Sequence, residues 1–377
     1  MTQLTPYSKI IKKIPSLMIK HKLLLPLAAA LSTALLSTVS MANSGVEFIN
    51  QDWQVACDNT LTCRLAGYQA ENNSDLPVSV LLVRSAGANA SVDGRVKLGG
   101  AKDSSSKALM KLGDRHRISL FINGKSYGET ETFSVAAGSA ELTPTQVTAL
   151  LDALTKSSKI EFVLRNSRWQ LSDNGASAVM LKADEVQGRV RTASAFINRE
   201  GTAKPSSNVI APKPAPKLRF VAPNPKAVSS DNKKFGMRSS QLATMMKSTI
   251  KDTDSDCPNL SDKSPWRINR LNGSQLLVQH ECWRGAYNVG TGVWVMNDSK
   301  PYNPVLVTTS ATGYDEGKIT SVQRGRGIGD CLAKSEWIWT GKSFSKSHES
   351  TTGLCRLIEA GGAWDLPTYV TEVRAVQ

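Results

Sequence analysis

Six cysteines, all beyond position 56 and all downstream of an apolar segment built like an export signal, constrain this chain more than any other feature. Residues 23–42, LLLPLAAALSTALLSTVSMA, carry no charge and directly follow Lys20, His21 and Lys22. Ser40 and Ala42 are small residues placed for signal cleavage, so residues 1–42 read as a removable secretory signal. An apolar run of about 20 residues can also span a bilayer. Here the small Ala, Ser and Thr of its second half favour cleavage over anchoring. Met18 opens a more usual signal of the same kind and is an alternative start. No cysteine stands at the exit, which excludes a lipid-modified terminus. The expected product is periplasmic, with no stable membrane anchor after cleavage.

In an oxidising compartment an even number of cysteines reads as a disulfide framework. Cys57 and Cys63 flank Asp58-Asn59, a turn-forming pair that lets two strands bring the sulfurs together. Cys257, Cys282, Cys331 and Cys355 permit three connectivities; the expectation is that neighbours pair, Cys257 with Cys282 and Cys331 with Cys355. Thiolate metal binding is disfavoured, since zinc sites want closely paired ligands and no C-x-x-C occurs.

The net charge of +14 is dispersed rather than gathered. Five lysines fall in the signal, residues 43–200 carry 18 basic and 17 acidic groups, and the rest of the excess divides between 201–232 and 233–377. A nucleic-acid binder concentrates its Lys and Arg on one face. No nucleic-acid partner is therefore expected.

With 377 residues, two domains are the prior. From residue 43 to 200 the pattern is short β-prone runs such as VSVLLVRS (78–85) and RISLFING (117–124), bounded by turn residues. TPTQVTALLDALTK (143–156) breaks that rhythm: Thr143 is a good N-cap, Pro144 suits the first helical position, and Val147, Leu150, Leu151 and Leu154 share a helical face. Six of the sixteen prolines crowd residues 205–225, marking 201–232 as an extended, semi-rigid linker. Beyond it, SSQLATMMKSTI (239–250) suits a short helix, and QLLVQHECW, VGTGVWVM and KSEWIWTG return to strands with turns between, as in a β-meander. The expected fold is mainly β with one or two short helices (α+β): a first domain at 43–200 and a Trp-rich, disulfide-braced second domain at 233–377.

Several segments together carry a family resemblance. They are DWQVACDNTLTCRLAGYQAE (52–71), PVSVLLVRSAG (77–87), the helix at 143–156, WQLSDNGASAVMLKADEVQGRV (169–190), HECWRGAYNVG (280–290) and GIGDCLAKSEWIWTGKSF (327–344). In combination the chain resembles the exported bacterial proteins grouped as domain of unknown function 1176, over nearly all of the mature length. Its N-terminal part is more distantly similar to invasion-associated locus B proteins. The resemblance implies a Gram-negative envelope location and paired cysteines, and it supplies no catalytic residues. One departure is the extended Gly-rich stretch in RLIEAGGAWDLPTYV after Cys355.

Catalytic patterns are thin. Ser104 and Lys107 make an S-x-x-K and Ser172-Asp173-Asn174 spells SDN, but the K-T-G that completes a penicillin-recognising set is missing, and SDN recurs at 230–232. His280 and Cys282 share one side of a strand, where a bonded cysteine offers no nucleophile. The carboxylates Asp252, Asp254, Asp256 and Asp262 alternate as a calcium loop would, yet Cys257 and Lys263 stand where an EF-hand needs Gly and Glu. No catalytic residue, metal site or cofactor is assigned. The candidate partner-binding residues are Trp337 and Trp339, which share a strand face, with Arg324 and Arg326 as a basic rim. Alternation equally suits a half-buried strand whose tryptophans fill a core. The reading is a non-enzymatic binder of an envelope protein, as inhibitor or assembly factor; the alternatives are a peptidoglycan or other glycan binder, and a hydrolase of unrecognised type.

Overall fold

The computed structural model describes residues 45–73, 75–99, 116–134, 137–197, 205–223 and 237–376. The expected signal (1–42), the S-x-x-K and the second SDN lie outside these residues. Among the described residues no helix is long and apolar enough to cross a membrane.

Strands β1 (Val46–Asn50), β2 (Trp53–Cys57), β3 (Cys63–Tyr68), β4 (Val78–Arg84) and β5 (Val92–Leu98) form an antiparallel meander. The β2–β3 turn is held by Asp58, whose Oδ1 accepts N–H groups from Thr60 and Thr62, and Cys57 stands opposite Cys63 in register and is bonded to it. β6 (Ser119–Ile122) and β7 (Lys125–Glu129) leave this sheet, and β8 (Ala140–Glu141) returns to pair with β5. Helix α1 (Pro144–Ala153) follows; Thr143 and Gln146 form the reciprocal capping box that their spacing allows. β9 (Ile160–Leu164) and β10 (Ser167–Leu171) complete a second sheet in the order β10-β9-β6-β7, and α2 (Ala176–Val186) packs against β1, β2 and β3 of the first sheet. One core joins both sheets and both helices, with Trp53, Leu65, Val80, Leu120, Leu150, Phe162 and Met180 fully buried.

The β2 sequence WQVAC shows no alternation because both of its faces are covered. The outer face of the first sheet, with Ala56, Ala66, Tyr68 and Leu81, is sealed by Ile358, Ala363, Trp364 and Leu366 from the far end of the chain. Trp364 Nε1 donates to Ser79 Oγ (2.7 Å), Arg356 pairs with Asp52 (2.8 Å), and Asn59 both donates to and accepts from the backbone of Val370. Ala42–Gln377 forms one compact unit.

The Pro-rich segment is bonded along its described length. Ile210 takes part in backbone bonds with Gly87 and Gln187, Lys213 N donates to Thr60 O, and β11 (Lys217–Phe220) pairs in parallel with the last strand, β21 (Glu372–Ala375). Val221 N then donates to Trp339 O. This stretch, expected as a spacer, is a strap laid across both halves.

After α3 (Ser239–Lys247) and the single turn α4 (Thr253–Asp256) come β12 (Arg267–Arg270), β13 (Gln275–Arg284), β14 (Val289–Asn297) and β15 (Val305–Ala311), paired in that order. A five-stranded meander follows: β16 (Gly313–Asp315), β17 (Lys318–Arg324), β18 (Leu332–Trp339), β19 (Phe344–Thr351) and β20 (Leu366–Val370). Alternation divides β13 cleanly. Leu276, Val278 and Cys282 face Leu242 and Met246 of α3, whereas Leu277 joins Val293, Ile319 and Trp339 between the two sheets.

Mainly β architecture is as expected, but four α-helices stand among the described residues where one or two were foreseen. α2 escaped notice because no cap residue marks its start: Gly175 precedes it at φ 91° with no side-chain hydrogen bond. The acidic segment at 252–262 begins with α4. Asp252 caps the turn by accepting from Asp254 N and Ser255 N, so its carboxylate is spent on the backbone.

Candidate functional site

The six cysteines pair as Cys57–Cys63, Cys257–Cys282 and Cys331–Cys355, and the last of these pins an exposed loop. The loop between β17 and β18, residues 325–331, is held from every side. Arg326 grips Asp330 through both Nε and a terminal nitrogen, and Asp330 also accepts Leu357 N (2.8 Å). Burial pushes the Asp330 carboxyl up, yet the Arg326 guanidinium and the Leu357 N–H outweigh it and hold the group below its ordinary value. Asn288 clamps the Arg324 backbone in both directions. Gly325 is required by close approach, since a Cβ there would lie 2.6 Å from Cys331 Sγ, and Gly329 turns the chain at φ 73°.

What this rigid loop presents is apolar. Ile328 is 67% exposed, Tyr287 46% and Val322 41%, so three of the nine exposed large apolar side chains among the described residues border one shallow basin of about 510 Å³. Singly exposed apolar residues need no explanation, but convergence of three does. Arg324 stands among them with no ion pair among the described residues. An over-fixed loop with an apolar tip has little ordering entropy left to lose on docking.

The four residues expected to meet a partner are not brought together. Arg324 lines the basin, and Arg326 beside it is committed to Asp330. Trp339 is 1% exposed and lies in the inter-sheet core against Phe344, so it is a core residue and not a contact. Trp337 is half-buried and borders a separate cleft of about 230 Å³ with Leu306, Phe344 and Lys342. That cleft is at the other end of β18, roughly 17 Å from Leu332 at the usual strand rise.

A polar pocket of about 340 Å³ adjoins the basin, sharing Thr312 with it. Strand register builds it. Arg267 stands opposite Gln279, Gln279 opposite Val293, and Asn269 is two residues along β12, so all share the inner face of the sheet with Thr291 of β14. The middle of that face is apolar and covered; this end is polar and open. Tyr287, Val322 and Ile328 of the basin, and Arg267, Asn269, Gln279 and Thr291 of the pocket, escaped the sequence reading. The signal was present in β13, where Gln275, Leu277 and Gln279 run polar, apolar, polar on one face.

Other reactive-looking groups are structural. Ser172 Oγ donates to Asp52 Oδ2 and Asp173 accepts Ser158 N, which makes the SDN a turn. His280 stacks on Trp266 at 4.4 Å with Nε2 at 3.0 Å from Asn259 O; burial lowers its pKa, and Cys282 on the same face is bonded to Cys257. Among the described residues one group of metal-ligating types converges, Asp330 with Cys331 and Cys355, and its two sulfurs are joined to each other.

His348 lies 3.7 Å from Asp365, which raises the imidazole pKa, while the imidazole lowers that of Asp365. Glu336 and Lys334 are the other charges acting on His348. A raised histidine contributes stability fully below its ordinary value of 6.5, and that stability fades as pH rises through the folded-state pKa. Asp365 contributes above 3.8 and loses its share as pH falls through its depressed value. The difference in urea midpoint between the native chain and His348→Gln is therefore expected to shrink between about pH 6 and about pH 9. A difference constant across that range would remove the pair from the pH dependence. Taking the difference cancels His280, whose lowered pKa acts in the opposite sense.

Comparison with known proteins is consistent across nearly the whole chain. The family model described as "Protein of unknown function (DUF1176)" matches residues 47–371. "Uncharacterized protein YpfG" of Escherichia coli (strain K12) is 25% identical over 355 residues, covering 83% of this chain and 90% of the relative. No solved structure matches.

Proposed function

Because the chain belongs to the DUF1176 family, whose description assigns no activity, we propose its function from its surfaces: it is an exported, periplasmic, non-enzymatic protein that recognises an envelope protein through the Tyr287–Val322–Arg324–Ile328 basin. The observation that carries this reading is the rigidity of the loop behind an exposed isoleucine. A disulfide, a two-pronged Arg–Asp pair and the Asn288 clamp all fix a segment whose tip side chain, Ile328, is 67% exposed. The partner's matching surface has an apolar pocket for Ile328 and an acidic group for Arg324. The wider part of the proposal is export through a cleaved signal at residues 1–42, which the disulfides suit, and distant kinship of the N-terminal half with invasion-associated locus B proteins.

The test is capture of the tagged mature protein from crosslinked envelopes after a high-salt wash, compared with Ile328→Asp. The substituted side chain is exposed, so stability should stay within about 0.5 kcal/mol. Loss of a central contact worth about 2 kcal/mol lowers recovery of a specific partner by roughly thirtyfold. Equal recovery by both proteins, or no protein near equal stoichiometry with the native chain, would sink the reading. Arg324→Glu should instead slow association, with an effect that weakens as salt rises.

A further inference from the structure

The polar pocket beside the basin carries a second inference, independent of the protein-facing surface. Inside a sandwich, inward-pointing positions are normally apolar, and polar groups buried there find partners. At this end the inner face turns polar instead and stays open. Gln279 is 6% exposed and donates from Nε2 to Asn269 Oδ1 (3.0 Å). That one bond leaves the Gln279 oxygen and the Asn269 amide hydrogens, on two side chains that line the pocket, with no hydrogen-bond partner among the described residues. The Thr291 hydroxyl and the Arg267 guanidinium line the same space, and Arg267 has no ion pair among the described residues. Tyr314, packed on the inter-sheet core, forms an aromatic wall.

We infer that this pocket binds a saccharide bearing a carboxylate. An amide donor and an amide acceptor held side by side match adjacent ring substituents of a pyranose, which donate and accept in the same pattern. A tyrosine wall receives the apolar C–H face of the ring. The unpaired guanidinium adds a charge-assisted bond to an anionic substituent, which a neutral sugar would leave unused. The volume, about 340 Å³, lies at the small end of ligand sites and suits one or two rings.

The experiment is an NMR titration of the isotope-labelled mature chain with N-acetylmuramic acid, with N-acetylglucosamine as the neutral comparison. Saturable shifts are expected at the side-chain amides of Asn269 and Gln279 with both sugars, and the acidic one should bind about tenfold more tightly. Arg267→Gln should erase that advantage and leave the neutral sugar within about twofold. Asn269→Ala should weaken both; its side chain is only half-buried, so the fold is retained, which the dispersion of the spectrum checks. Ile328→Asp should leave sugar binding unchanged, which separates this site from the protein-binding basin. Absence of saturable shifts at those two amides, or an equal loss of both sugars in Arg267→Gln, would overturn the inference.

Discussion

Replacing Asp184 by Ala is expected to cost about 3–5 kcal/mol of stability, among the largest effects of any single substitution in this chain. The carboxylate is fully buried on α2 and accepts from the Arg84 guanidinium (2.6 Å) and from the backbone N–H groups of Phe196 and Ile197 (3.0 Å each). Arg84 is 2% exposed, its guanidinium carbon is 3.4 Å from the centre of the Phe196 ring, and burial draws its pKa down to about 10 against the opposing pull of Asp184. Removing the carboxylate strands that cation away from water and orphans two backbone donors together. Asp184→Asn should fall between, since an amide oxygen can still accept one bond but brings no charge. Urea unfolding at neutral pH measures both variants, and a loss below about 1 kcal/mol for the alanine would contradict the account.

Trp364→Ala should be nearly as damaging, at about 3–5 kcal/mol. This indole seals the outer face of the first sheet with Ile358 and Leu366, donates to Ser79, and carries the Lys97 ammonium 5.2 Å from its ring. The alanine leaves a cavity, a bared Tyr68 and a Ser79 hydroxyl that keeps its bond to Gly67 O but loses the indole donor. Trp364→Phe should recover more than half of the loss, because it restores most of the packed volume without the hydrogen bond. If the face were incidental, the alanine would unfold at the native urea midpoint.

How much of this could be read beforehand depended on how local the cause was. Helix α1 was visible because Thr143, Pro144 and Gln146 act within one turn, and the same holds for the Cys57–Cys63 hairpin around Asp58. The fixing of the loop at 325–331 is not legible in QRGRGIGD, since Asn288, Cys355 and Leu357, which hold it, lie far along the chain. Trp337 and Trp339 do share a face, as alternation requires. Whether that face met solvent turned on a second sheet whose position no spacing rule gives. The polar pocket was hidden for a related reason: Arg267 and Gln279 become neighbours only when β12 and β13 pair in one register.

The sealing of the first sheet by the end of the chain sets an order of events in time. A polypeptide emerges N-terminus first, from the ribosome or through a membrane pore. Residues 45–197 can therefore assemble one side of their sandwich early, while Ala56, Ala66, Tyr68 and Leu81 wait uncovered. Their lid is 285 residues further on for Ser79 and 311 for Asn59. Contacts of such separation slow folding, because a long loop must close before they stabilise anything. Until then the nascent molecule displays an adhesive sheet surface. A truncation before Ile358 would leave that surface permanently bare, turning a stop codon there into an aggregation hazard.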